Sequence, residues 1–289
     1  MGHATMGDVS TPTLITVAPT GAETAKADAP ALPTSLDELV ATAKACQAAG
    51  AGLIHIHIRD DEARPTLDLA RLTDTVAAVR EGTELVVQLS TGGAVTDPYD
   101  ARIRVLEALP DSCSLTCGTV NFGSDVFLNP WDFMVELYRR TQELEIVPEF
   151  ELFDLGHVAA LNRLLDREGQ PYGGHVHADL VLGVPGGAPG TAESVVTMAG
   201  MLPAGASWSA TGVGRSTLPV ALAALSAGGH LRVGMEDTLT FAPGRPVRDN
   251  AELVERAATL ATTALRPPMT TDEARALLHV KDRRNGDGA

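Results

Sequence analysis

Short apolar runs alternate along the chain with longer stretches whose apolar residues recur every three to four positions. The runs Thr13–Ala18, Leu53–Arg59, Leu85–Ser90, Ser114–Gly118, Ile146–Phe153, His175–Leu182, Ser207–Thr211 and His230–Met235 read as strands. Helical patterns follow them at Leu36–Ala49, Leu69–Arg80 and Tyr99–Leu109, then from Asn129-Pro130 to Gln142, and at Val158–Asp166, Thr191–Met201, Leu218–Ala227 and Asn250–Leu265. Ser35 with Glu38, and Thr270 with Glu273, have the spacing of a capping box, the second opening a last short helix near Asp272–His279. Asn129-Pro130 suits an N-cap and first helical turn, and Gly50 and Gly52 close the first helix. The strands look like apolar runs rather than alternating ones, as in a parallel sheet covered by helices.

Eight strand-then-helix units at this length predict a (β/α)8 TIM barrel, whose site lies at the C-terminal ends of the strands. A doubly wound open sheet would carry a Gly-x-Gly-x-x-Gly turn after an early strand, and none is present. No linker divides the chain. The expectation is one catalytic domain over 13–289 with a short C-terminal helical extension, preceded by a disordered tail or cloning remnant over 1–12.

Composition narrows the partners. The 289 residues are 44% hydrophobic and 20% charged, enough for a full core. Lys and Arg number 22 against 37 Asp and Glu, a net charge of −15, which argues against nucleic acid or an anionic membrane as partner. A small anion remains compatible, because a few arginines at one cleft outweigh the global sign. No stretch reaches the roughly 18 apolar residues of a membrane span. Cys46, Cys113 and Cys117 are an odd set, and four residues along one strand separate the last two by about 13 Å, too far for a disulfide. The expected compartment is the reducing cytoplasm.

The sharpest motif is Leu53-Ile-His-Ile-His-Ile-Arg-Asp60. On a strand, His55 and His57 share one face about 7 Å apart, so two imidazoles converge on one metal if a third ligand arrives. Gly229-His-Leu-Arg-Val-Gly-Met-Glu-Asp237 ends the eighth strand and offers Glu236 as that ligand. Two histidines and a carboxylate suit Zn²⁺ as a Lewis acid, and would also hold Fe²⁺. Arg232, four residues before Glu236, is expected on the same side, needing an anionic partner such as Asp237 or a substrate carboxylate. Gln88-Leu-Ser-Thr-Gly-Gly93 and Gly118-Thr-Val-Asn-Phe122 end strands three and four, presenting Ser90, Gly92, Gly93, Thr119 and Asn121 as anion holders. Glu23, after strand one, would suit a cationic group if it faces the mouth. His157, His177 and His230 read as hydrogen-bonding residues, and Trp131 and Trp208 as packing.

These residues, with HIHIRD, QLSTGG, CGTVNFG, PEFELFD, VLGV, GVGR and GGHLRVGMED in this order, resemble the β-keto acid cleavage enzymes from Leu14 to about Leu278. The resemblance implies a zinc-dependent (β/α)8 barrel that converts a β-keto acid and acetyl-CoA into acetoacetate and a new acyl-CoA without a covalent acyl-enzyme. It makes His55, His57 and Glu236 the ligands of one Zn²⁺ per chain. Ser90, Gly92, Gly93, Thr119 and Asn121 would hold the substrate, and Asp237, Arg232 and Ser90 would form the catalytic group. Glu23 matches a position that meets the substrate ammonium in the lysine-fermentation member. A homotetramer is implied as well. Arg215 in GVGR is a candidate phosphate or loop-ordering contact, and Val184–Thr191 departs from the family in its Pro/Gly content.

Three other readings compete. A metal-dependent barrel hydrolase would recruit His157 or His177 to a second metal. A thiol-dependent acyltransferase would use Cys117. A non-catalytic metal- or ligand-binding barrel would bind without turnover.

Overall fold

The computed structural model describes residues 11–284, and the tail expected over 1–12 lies almost wholly outside that range. Eight parallel strands close into a barrel: β1 (Ile15–Val17), β2 (Leu53–Ile56), β3 (Val86–Leu89), β4 (Ser112–Thr116), β5 (Val147–Leu152), β6 (His177–Leu182), β7 (Ser207–Gly212) and β8 (His230–Val233). Each pairs with its neighbours in sequence, and β8 returns to β1 with Thr16 opposite Arg232. Helices α1 (Leu36–Ala49), α2 (Leu69–Gly82), α3 (Tyr99–Arg104), α4 (Trp131–Glu143), α5 (Leu155–Glu168), α6 (Ala192–Ala199), α7 (Thr217–Ser226) and α8 (Asn250–Thr263) follow the strands, and α9 (Thr271–Leu278) ends the fold. This is the expected (β/α)8 barrel. None of the described helices is long and apolar enough to cross a membrane.

The strands alternate after all, in an unusual sense. Ile54, Ile56, Val87, Leu89, Leu115, Phe150, Leu152, Ala178, Leu180 and Leu231 join the apolar core shared with the helices. The residues between them, His55, Gln88, Ser114, Glu149, Glu151, His177, Asp179, Ser209, Thr211 and Arg232, are buried too, but polar. Successive strand residues face opposite sides. The chain therefore places its polar half inside the barrel, where those groups bond to one another. The N-terminal end of the barrel is closed by apolar packing: Leu14, Leu53 and Val86 meet Met269, Ala274 and Leu278 from α9 and its approach. Buried Arg275 of α9 also donates to Leu85 O at 3.0 Å.

Both capping boxes form, at Ser35–Glu38 and Thr270–Glu273. Asn129 does not cap α4. The N-cap is Pro130, because Arg102 Nη2 donates to Asn129 Oδ1 at 2.5 Å and occupies that oxygen. The helix expected over Tyr99–Leu109 ends at Arg104 and tightens into a 3₁₀ turn over Val105–Ala108. Strand two stops at Ile56. Ile58–Arg59 leaves the barrel to pair antiparallel with Pro65–Thr66. A second hairpin, Val120–Phe122 with Asp125–Phe127, rises beyond β4. Strand eight ends at Val233 rather than Met235, since a turn begins at Gly234. Any Cβ on Gly234 would lie 1.9 Å from Ala18 O, so only glycine lets the turn pass this close to β1.

Candidate active site

The turn after Gly234 brings Glu236 back over the barrel, and its stem packs where Gly21 has no side chain; a Cβ there would stand 2.7 Å from Glu236 Cγ. Glu236 Oε1 lies 3.9 Å from His55 Nε2 and 3.7 Å from His57 Nε2. One donor atom from each of the three residues lies within 4.8 Å of the others, and theirs is the one such group found among the described residues. Donors bound at zinc distances in a tetrahedron stand about 3.3 Å apart, so a small inward movement would close this set.

Three features fit the site to a divalent metal. His55 Nδ1 is paired with Gln88 Oε1 at 2.5 Å, and that oxygen can only accept, so the proton sits on Nδ1 and the Nε2 lone pair faces the cavity. Gln88 is itself held by donating to Ser112 Oγ at 3.1 Å. Burial, then the Arg232 charge, pushes the His55 imidazole down to about 4, keeping it neutral. Finally, Glu236 Oε2 is buried with no hydrogen-bond partner. Burial opposes ionisation of Glu236, but Arg232, followed by His57 and His55, overrides it and holds the carboxyl down at about 2. An ionised, partly unpartnered carboxylate beside two neutral imidazoles is a metal-type donor set.

Arg232 is the buried hub. Its Nη2 donates to Glu236 Oε1 at 2.5 Å and to Asp237 Oδ1 at 3.1 Å, its Nε to Asp237 Oδ2 at 3.3 Å, and its Nη1 to Glu151 Oε1 at 3.2 Å. Asp179 Oδ2 is 4.0 Å from Nη1. Residues 232 and 236 meet because the chain turns back at Gly234, not because they share a strand face. One guanidinium cannot neutralise four carboxylates. Burial therefore pushes the Asp237 carboxyl up to about 6 and that of Glu151 up to about 7, with Arg232 pulling against it in each case. Asp179 is pushed well above the usual carboxylate range for the same reason. The result is a fixed carboxylate, Asp237, with its basicity raised towards neutrality, the range useful for general-base work.

These groups face a cavity of about 510 Å³ at the C-terminal ends of the strands, lined by Glu23, His55, His57, Ser90, Gly92, Gly93, Glu151, Arg232, Glu236 and Asp237 among others. Ser90 Oγ accepts from the Gly92 N–H at 3.0 Å, so that N–H is already engaged. Exposed Glu23 sits on the rim, on a loop braced by Arg59, whose Nη2 donates to Gly21 O at 2.7 Å and Thr24 O at 3.0 Å. Thr119 and Asn121 are not brought into the cavity wall. Both are exposed, Thr119 Oγ1 accepts from Asn129 N at 2.9 Å, and Asn121 lies on the hairpin beyond β4. From that hairpin Phe122, Asp125 and Phe127 line the cavity instead.

Glu151 and Asp179 escaped the sequence reading, although Pro148-Glu-Phe-Glu-Leu152 shows the same alternation as His-Ile-His. His157, His177 and His230 do hydrogen-bond. His157 Nδ1 accepts from Phe153 N at 3.2 Å, His177 pairs with Ser207 Oγ at 2.7 Å, and His230 Nδ1 accepts from Leu14 N at 3.1 Å. Cys46, Cys113 and Cys117 are free and buried. Burial raises the Cys117 thiol well above its usual range, opposite to what a nucleophile requires.

A TIM barrel with a two-histidine, one-carboxylate donor set and an arginine-held aspartate in one cavity defines a class, the barrels with a metal-type donor set beside a buried acid. The family follows from comparison: the model of the beta-keto acid cleavage enzymes matches residues 12–280, and the chain belongs to that family. It is 37% identical to a 3-keto-5-aminohexanoate cleavage enzyme of Fusobacterium nucleatum, covering 93% of this chain and 98% of the relative. It is 35% identical to the enzyme of that name from Acetoanaerobium sticklandii, covering 92% and 98%. The apo structure of ObcA superposes with a TM-score of 0.72 at 20% identity, covering 87% of this chain and 66% of that longer one, a likeness of fold.

Proposed function

We propose that the protein joins a β-keto acid to acetyl-CoA and releases acetoacetate and a new acyl-CoA, with one Zn²⁺ held by His55, His57 and Glu236. The observation that carries this reading is the meeting of that donor set with the Arg232-anchored Asp237 in one cavity. When bound, the metal would polarise the keto carbonyl and make the neighbouring C2 proton more acidic. Asp237 takes that proton, and its two hydrogen bonds from Arg232 fix where the receiving oxygen stands. The C2 carbon then attacks the acetyl thioester and expels CoA thiolate. The thiolate adds to the original keto carbon, the C2–C3 bond breaks, and Asp237 returns the proton to C2 of the departing acetoacetate. Ser90, with Gly93 beside it, holds the substrate carboxylate. Glu151, which burial keeps protonated close to neutral pH, offers an O–H on the same wall.

The charge of the cavity selects the rest of the substrate. Glu23, Asp125, Glu236 and Asp237 line it, and its one lining cation, Arg232, is already bonded to Glu236, Asp237 and Glu151. A second carboxylate on the substrate meets repulsion there, whereas a cationic distal group meets Glu23. The 3-keto-5-aminohexanoate in the names of both relatives carries such an amino group. The test is to incubate the zinc-loaded enzyme with acetyl-CoA and cationic, neutral or anionic β-keto acids, following acetoacetate and acyl-CoA by mass spectrometry. Product from the cationic acids that is lost in Glu23→Ala supports the reading. Product from neutral or anionic acids alone removes Glu23 from it.

A further inference from the structure

We infer that the acetyl-CoA co-substrate enters over the loop Gly183–Thr191, with its phosphates at Arg215 and its pantetheine arm along the wall formed by Val181, Val184 and Val213. The inference rests on the acetyl-CoA reading above and assigns the part of the surface that would receive the nucleotide.

A second cavity, also about 510 Å³, adjoins the first and shares Val184, Pro185 and Val213 with it. Its floor is the loop Gly183-Val-Pro-Gly-Gly-Ala-Pro-Gly190, and its lip carries Arg215 and Ser216. The two cavities thus have a wall in common, and a path over that wall would join Arg215 to the metal-type donor set. The path changes character along its length, as a thioester with a long arm and a phosphorylated end requires. Near the reacting groups Val181, Val184, Phe122, Phe127 and Phe153 make an apolar wall. Further out the lining is the glycine- and proline-rich loop, held close to its neighbours: a Cβ on Gly186 would lie 2.1 Å from Asn121 O, and one on Gly190 would lie 2.1 Å from Ser216 Oγ.

Arg215 supplies the charge. It is exposed and makes no hydrogen bond or ion pair with the described residues, so it does not order the loop. Most arginines of this acidic chain are paired with carboxylates, carbonyls or rings. An unpaired guanidinium at the mouth of this path is suited to phosphate oxygens. Placing CoA on the β6–β7 side also leaves Glu23, on the loop after β1, to the keto acid.

The test compares wild type with Arg215→Ala and Arg215→Lys, using calorimetric titration of CoA and kinetics with acetyl-CoA and acetylpantetheine. Loss of the contact is expected to weaken CoA and raise the KM for acetyl-CoA about tenfold. Lysine should restore part of this, and acetylpantetheine, which lacks the nucleotide phosphates, should show no such dependence. CoA binding indifferent to Arg215, in an enzyme that still turns over thioesters, overturns the site and leaves the reaction standing. Arg215-dependent CoA binding with no turnover of any keto acid keeps the site and sinks the reaction. A wild-type protein that fails to bind CoA contradicts both.

Discussion

Replacing Asp237 by Asn separates proton transfer from everything else the site does. The side chain keeps its shape, and Arg232 can still donate to the amide oxygen in place of one carboxylate oxygen. What is lost is the base and one of two charge-assisted hydrogen bonds, at 3.1 and 3.3 Å. The hydrogen bond is worth about 1.5–3 kcal/mol. Part of that is offset, because the substitution removes one negative charge from a cluster in which a single guanidinium faces Glu151, Asp179, Glu236 and Asp237. Net stability should therefore change little. The chemistry should not: a positioned general base contributes about 10²–10⁴ in rate, and kcat should fall by that factor while the keto acid KM holds. The assay is acyl-CoA formation by mass spectrometry, paired with NMR of solvent deuterium exchange at C2 of the keto acid. Both should fail together. In the wild type, activity should also decline as pH drops through about 6, because burial has raised the pKa of the carboxyl that must be ionised to accept the proton. Unchanged turnover in Asp237→Asn would remove this residue from the role.

Gln88→Ala takes away the acceptor that fixes the His55 tautomer, and metal affinity by competition titration should weaken about 10–100-fold. Cys117→Ala should keep full turnover, because its thiol is buried and raised away from reactivity; a loss beyond that explained by lower stability would revive the thiol mechanism. Acid should weaken the fold through the histidines near the N-terminal end of the barrel. Burial pushes His175 down to about 4 and His230 well below its usual value, so below pH 6.5 the unfolded chain binds protons that the folded chain refuses. The Tm should fall as pH drops from 6.5 towards 4, and less steeply in His175→Gln; an equal slope in the two would contradict the assignment.

The barrel was legible because each strand carries enough Ile, Val and Leu to read as buried, with a helical period after it. The inner face was harder to read. Glu149, Glu151, His177 and Asp179 look like interruptions of apolar strands until closure turns them towards a shared interior, where Arg232 meets Glu151 and Asp179 and His177 meets Glu149. His55, His57, Glu236 and Asp237 stood out because their residue types have a specific joint use. Thr119 and Asn121 misled because their segment, read as a strand end, continues as a hairpin with Asp125–Phe127, a pairing that no local pattern announces. The meeting of Arg232 and Glu236 was foreseen for the wrong reason. The strand ends at Val233, and the turn permitted by Gly234 brings the two together.

The most direct measurement is metal stoichiometry coupled to activity in the purified protein. One zinc per chain is expected, with turnover of a β-keto acid and acetyl-CoA abolished by a chelator, restored by Zn²⁺, and absent in His55→Ala, which should also fail to retain the metal. Two metals per chain with hydrolysis in place of acyl transfer, or full turnover after the metal is stripped, would contradict the reading built on His55, His57 and Glu236.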